Sequence, residues 1–127
     1  MKIQRFAFAA FLLLQMLALG AVAVHAANDA ADAKGASIQI LKPADHADLD
    51  SDESYPLDYQ VVLGSGSDHF HVWVDADRSP GIHDLKGTYM LPKMTPGKHV
   101  ITLKLVDKGH VPTGPQKSIT VNVVKAK

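Results

Sequence analysis

Apolar and polar residues alternate strictly along Asp68-His69-Phe70-His71-Val72-Trp73-Val74-Asp75. A period of two belongs to a β-strand, because successive side chains leave an extended backbone on opposite sides. Phe70, Val72 and Val74 therefore face a core, and His69, His71, Trp73 and Asp75 face the other way. Residues two apart on a strand stand roughly 7 Å from each other, so two imidazoles leaning together can each place a nitrogen about 2 Å from one ion.

The same period recurs elsewhere. Ile38 and Ile40 alternate with Gln39, and Leu57, Tyr59, Val61 and Leu63 with Asp58 and Gln60. Ile101, Leu103 and Leu105 face a core while Thr102 and Lys104 face out, and Ile119, Val121 and Val123 make a final strand. A brief strand is expected around Thr88 to Leu91. The breaks between strands are Gly64-Ser65-Gly66-Ser67, the Asp/Pro/Gly-rich run from Ala76 to Gly87, the Pro92 to Gly97 turn, and a loop from Asp107 to Pro115. No helical period appears after residue 26. Six or seven short strands at intervals near ten residues predict an all-β, antiparallel β-sandwich of immunoglobulin-like type over residues 37–127. The likeness to antibody domains is one of architecture alone, since the chain has no cysteine.

The N-terminal end sets an expected compartment. Lys2 and Arg5 precede an apolar run from Phe6 to Val24, and Val24-His25-Ala26 supplies small residues where a signal peptidase reads. Residues 1–26 read as a signal peptide, with cleavage after Ala26 or, as the alternative, Ala27. Residues 27–36 read as a flexible linker of Ala, Asn, Asp, Lys and Gly. The expected location is periplasmic or secreted, with no stable membrane insertion after processing. Cleavage after Ala26 leaves 101 of the 127 residues and changes 13 basic and 13 acidic groups to 11 and 13. A near-neutral chain with no basic cluster and no aromatic platform among lysines does not suit nucleic acid. The absence of cysteine excludes disulfides, thiolate ligands and cysteine nucleophiles.

Six histidines remain after that cleavage, at 46, 69, 71, 83, 99 and 110. His69 and His71 share a strand face, and His83 and His110 lie in loops, where a rigid scaffold presents functional groups. These four are the candidate metal ligands. His99 shares the face of Ile101, Leu103 and Leu105 and reads as a hydrogen-bonded histidine at the rim of the core. Met90 and Met94 flank a turn and offer thioethers to Cu(I), with core filling as the competing role. Asp48-Leu49-Asp50-Ser51-Asp52-Glu53 starts like a calcium loop but carries Glu53 where Gly is needed and Tyr59 where Glu is needed, so it reads as a solvated acidic turn. Trp73 offers a face for a sugar or a cation, or simply for packing.

From about Ser37 to Val124 the order of motifs resembles a bacterial family of unknown function that carries a His-His-His-Leu-Leu-Ile-Asp signature. That segment reads His69-Phe70-His71-Val72-Trp73-Val74-Asp75 here, with Phe70 in place of the middle histidine. Ile82-His83 is similar to the family's second histidine segment, Pro96-Gly97-Lys98-His99 to its Pro-Gly-Thr-His turn, and Val106-Asp107-Lys108-Gly109-His110-Val111-Pro112 to its Asp-x-x-His-x-Pro loop. The resemblance implies an exported β-sandwich and draws attention to the histidines; it implies no substrate.

Catalysis finds little support. No serine sits in a Gly-x-Ser-x-Gly setting, no paired carboxylates announce themselves, and no glycine loop runs from a strand into a helix. The leading expectation is a non-catalytic exported protein that binds a copper or zinc ion through histidine, since imidazole suits both ions. The alternatives are a ligand-binding or protein-interaction module without metal, and a small metalloenzyme.

Overall fold

The computed structural model describes residues 35–127, so the N-terminal segment read as signal peptide and most of the linker lie outside the described residues. Eight strands form: β1 (Ser37–Lys42), β2 (Asp48–Asp50), β3 (Pro56–Val62), β4 (His69–Val74), β5 (Asp77–Arg78), β6 (Lys86–Met90), β7 (Gly97–Val106) and β8 (Pro112–Val124). They make a three-stranded sheet in the order β1-β3-β6 and a five-stranded sheet in the order β2-β8-β7-β4-β5. This is an immunoglobulin-like sandwich, and its six longer strands pair with one another antiparallel.

The alternating residues close the core between the sheets. Ile38, Leu57, Tyr59 and Val61 come from the smaller sheet. Phe70, Val72, Val74, Ile101, Leu103, Leu105, Ile119, Val121 and Val123 come from the larger, as their spacing requires. Burying side chains of this size contributes about 1.5–3 kcal/mol each. Phe70 stands edge-on to Tyr59 with ring centroids 5.0 Å apart, which explains how a phenyl fills the core side of β4.

Three details depart from the sequence reading. The acidic run read as a turn contains β2, which pairs parallel with β8 through Asp48–Asn122, Leu49–Val123 and Asp50–Val124. One buried residue, Leu49, is too little for a period to show, and the segment is held by the partner backbone and by Asn122 Nδ2 donating to Asp48 Oδ1 at 3.0 Å. The β7–β8 loop is shorter than Asp107 to Pro115, because β8 begins at Pro112, where it pairs with Val106. The Ala76 to Gly87 run holds β5, a bridge between Ile82 and Phe70, and the first two residues of β6.

That bridge positions the site. Strand β4 has β7 on one side and only two residues of β5 on the other. The segment 79–82 takes over the uncovered edge. Ser79 N donates to Val72 O at 2.8 Å, Ile82 N to Phe70 O at 2.8 Å and Phe70 N to Ile82 O at 3.2 Å, while Val72 N donates to Ser79 Oγ at 2.9 Å. The backbone groups of an edge strand are thus satisfied without a full strand.

Candidate metal centre

His69 and His71 point away from the core, as alternation demands, yet both are buried, at 3% and 2% exposure. Alternation assigns the face but does not indicate this burial. Cover comes from loops that no local pattern predicts. Gly81 lies directly against the pair: a Cβ there would stand 2.9 Å from His69 Cδ2 and 3.2 Å from its Nε2, so only a residue without a side chain permits this approach.

The third wall is the β7–β8 turn. Asp107 Oδ1 accepts the amides of Gly109 (2.8 Å) and Val111 (3.0 Å), Asp107 O accepts the amide of His110 at 3.0 Å, and Asp107 N donates to Val111 O at 2.9 Å. These bonds hold the His110 backbone at φ 63°, a left-handed conformation costly for most residues, and so bring its side chain to the pair. His110 Nδ1 lies 3.0 Å from His69 Nε2 and 3.1 Å from His71 Nε2.

The tautomers follow from the outer partners. His69 Nδ1 is 2.9 Å from Asp68 Oδ2, and His71 Nδ1 is 2.8 Å from Ser79 O. A carboxylate and a carbonyl accept only, so in each ring Nδ1 carries the hydrogen and the Nε2 lone pair points inward. Two lone pairs thus converge on His110 Nδ1, which has at most one hydrogen to offer them. Histidine ligands of metal ions are anchored in this way, with one nitrogen donating to a carboxylate or carbonyl and the other on the ion. Ligand atoms on a tetrahedral ion with bonds of about 2.0 Å stand about 3.3 Å apart. The 3.0 and 3.1 Å separations from His110 Nδ1, with one ligand nitrogen of each of the three residues within 4.8 Å of the others, fit that requirement.

Electrostatics point the same way. Burial is the largest effect on His71 and lowers its pKa, with Arg78 and the neighbouring imidazoles adding to the effect against the Ser79 carbonyl, so the neutral, ligating form is favoured. The hydrogen bond from His69 is the main reason the Asp68 carboxyl lies below its usual range.

His83, the fourth candidate, does not join this trio. Its exposed ring lies against His69, with centroids 4.8 Å apart, and its Nδ1 is 4.0 Å from Asp68 Oδ2. It belongs to a second group, Asp68, His69 and His83. Asp68, Ser79 and Gly81 were not singled out as site residues in the sequence; a carboxylate adjacent to His69 is a signal that could have found the first.

The remaining candidates lie elsewhere. His99 donates from Nδ1 to Asp75 Oδ2 and from Nε2 to Thr95 O, each at 2.6 Å, at the rim of the core. Met94 is buried in the core, so it fills space, whereas Met90 is 55% exposed on β6. The Lys104 ammonium lies 4.6 Å from the centroid of the Trp73 ring. His46 is exposed beside Asp45.

No family model matches the chain, and no curated protein matches it. Among solved structures it is similar to a fibronectin(III)-like module of Clostridium thermocellum CbhA, with a TM-score of 0.58 and 15% identity over 71% of this chain and 99% of that one. Two lower similarities are to the extracellular domain of a protein described as a hybrid two-component system from B. thetaiotaomicron and to a lytic polysaccharide monooxygenase of Jonesia denitrificans. The first has a TM-score of 0.45 and 7% identity over 68% of this chain and 14% of that one. The second has a TM-score of 0.39 and 15% identity over 67% and 61%. The CbhA module supports the fold and nothing finer.

Proposed function

We propose that the protein is an exported, non-catalytic metal-binding domain that holds one copper or zinc ion on His69 Nε2, His71 Nε2 and His110 Nδ1. One observation carries this reading: two inward lone pairs, each fixed by an acceptor behind the ring, converge on a third imidazole nitrogen at 3.0 and 3.1 Å. Without an ion, one hydrogen at most serves two acceptors there; an ion serves all three nitrogens. Three neutral nitrogen donors suit Cu(II) and Zn(II) and do not suit calcium or magnesium, which take oxygen. The basic start, the apolar run and the small residues before Ala27 support export and removal of residues 1–26, and the motif order supports kinship with the His-His-His-Leu-Leu-Ile-Asp family.

His110 is exposed, so the ion is reached from solvent across the β7–β8 turn. His110 comes from that turn, while His69 and His71 come from β4 of the sheet. The chain's own residues bind and orient: Asp68 and Ser79 hold the rings, and Gly81 covers them.

Calorimetry of the purified protein should give Cu(II) or Zn(II) binding that includes a site for one ion on the trio. Replacing both His69 and His71 by Ala should weaken that site at least tenfold, about 1.4 kcal/mol. Equal binding by the wild type and the double variant would reject the assignment. Far-ultraviolet circular dichroism separates lost binding from unfolding, since both side chains lie outside the core.

A further inference from the structure

The two groups of potential ligands share one residue, His69, and each uses a different end of its ring. Nε2 faces His110 at 3.0 Å and Nδ1 faces Asp68 Oδ2 at 2.9 Å. His83 Nδ1 lies 4.0 Å from the same carboxylate oxygen, and its ring leans on that of His69 at a tilt of 35°. One ligand atom from each of Asp68, His69 and His83 lies within 4.8 Å of those of the other two, a span that bonds of about 2.0–2.2 Å to a single ion can draw together.

We infer that His69 bridges two metal ions, the second held by Asp68, His83 and the Nδ1 of His69. This rests on the three-histidine site above and extends it. The first ion has only neutral ligands and sits where His69 keeps its Nδ1 hydrogen on Asp68. The second ion takes the place of that hydrogen, which leaves as a proton to solvent, and the ring becomes an imidazolate bound through both nitrogens. No electron moves.

Charge explains why these residues suit a second dication. Two dications on either side of one ring repel each other, and neutral ligands would not offset that. The carboxylate of Asp68 and the negative charge of the bridging ring place two anionic ligands on or beside the second ion, and the exposure of the site weakens the repulsion further. Access is open. Asp68 lines a cleft of about 410 Å³ with Gly66, Ser67, Asp107, Lys108 and Gly109, and His83 is largely exposed. A carboxylate and two imidazoles fit Cu(II) or Zn(II), the ions the first site takes.

The test is titration of the purified full chain with Cu(II), followed by calorimetry and electron paramagnetic resonance. The wild type should bind two ions. Because an imidazolate couples the spins of two Cu(II) ions antiferromagnetically, the low-temperature signal should rise with the first ion and fall with the second, far below two spins per chain. His83→Ala should bind one ion, with first-site affinity within about threefold of wild type and a full one-spin signal. A single ion in wild type, lost in the His69/His71 double variant, would overturn the second site and leave the three-histidine site standing. Two ions in His83→Ala would likewise overturn it, and two ions with two full spins would overturn the bridge. No binding at all would remove the three-histidine site as well.

Discussion

Gly81 shows how one missing side chain can matter to a metal centre. Its neighbour His69 is tied to Asp68 and cannot swing freely, so a methyl at 2.9 Å from Cδ2 must displace either the ring or the segment that covers it. Gly81→Ala should weaken Zn(II) or Cu(II) binding at least tenfold by tilting His69 Nε2 away from His71 and His110, and overpacking should cost about 1–3 kcal/mol of stability. Calorimetry below the melting transition measures the first effect and urea unfolding the second. Unchanged affinity would mean that the segment yields and the ring does not. None of this was legible in Pro80-Gly81, which reads as an ordinary turn. His69 and His71, by contrast, were legible because a strand's alternation assigns faces without reference to the rest of the chain.

At the scale of elements, the His99 contact ties the turn after β4 to the start of β7. Asp75, at φ 52°, accepts the Val100 amide with Oδ1 and the His99 ring with Oδ2. Both imidazole nitrogens of His99 face acceptors, an arrangement that only the doubly protonated ring satisfies. The Asp75 hydrogen bond is the largest cause raising the His99 pKa; burial opposes it and the Thr95 carbonyl adds to it. A raised folded-state value means that this contact stabilises fully below the unfolded value, near 6.5, and is lost as pH rises through the folded one. His71 runs the other way: its lowered value gives stability above about 6.5 that is lost as pH falls. Comparing wild type with His99→Gln cancels the His71 contribution. The urea midpoint of wild type should exceed that of the variant most at pH 5.5 and least at pH 9, and a gap independent of pH would reject a protonated His99.

At the scale of the molecule, the proposed ion would join β4 to the β7–β8 turn, which follows the strand paired with β4 in the five-stranded sheet. An ion that binds only the folded chain stabilises it by mass action. Zn(II) at 100 times its dissociation constant should add about 2.7 kcal/mol and raise the melting temperature by on the order of 10 °C for a domain of this size. Differential scanning calorimetry with and without a chelator checks it, and the His69/His71 double variant should show no such rise. By itself the sequence determined the sandwich and its core, because period-two alternation is a local property that each strand carries alone. It also determined which histidines share a face. The tertiary structure decided which of them meet. His110 reaches the pair because a hydrogen-bonded turn holds it in a left-handed conformation, and His83 stays beside Asp68 instead of joining the trio. It likewise decided that the pair is buried and that Leu49 belongs to a strand, since both depend on backbone pairing between residues far apart in the chain, which no local period records.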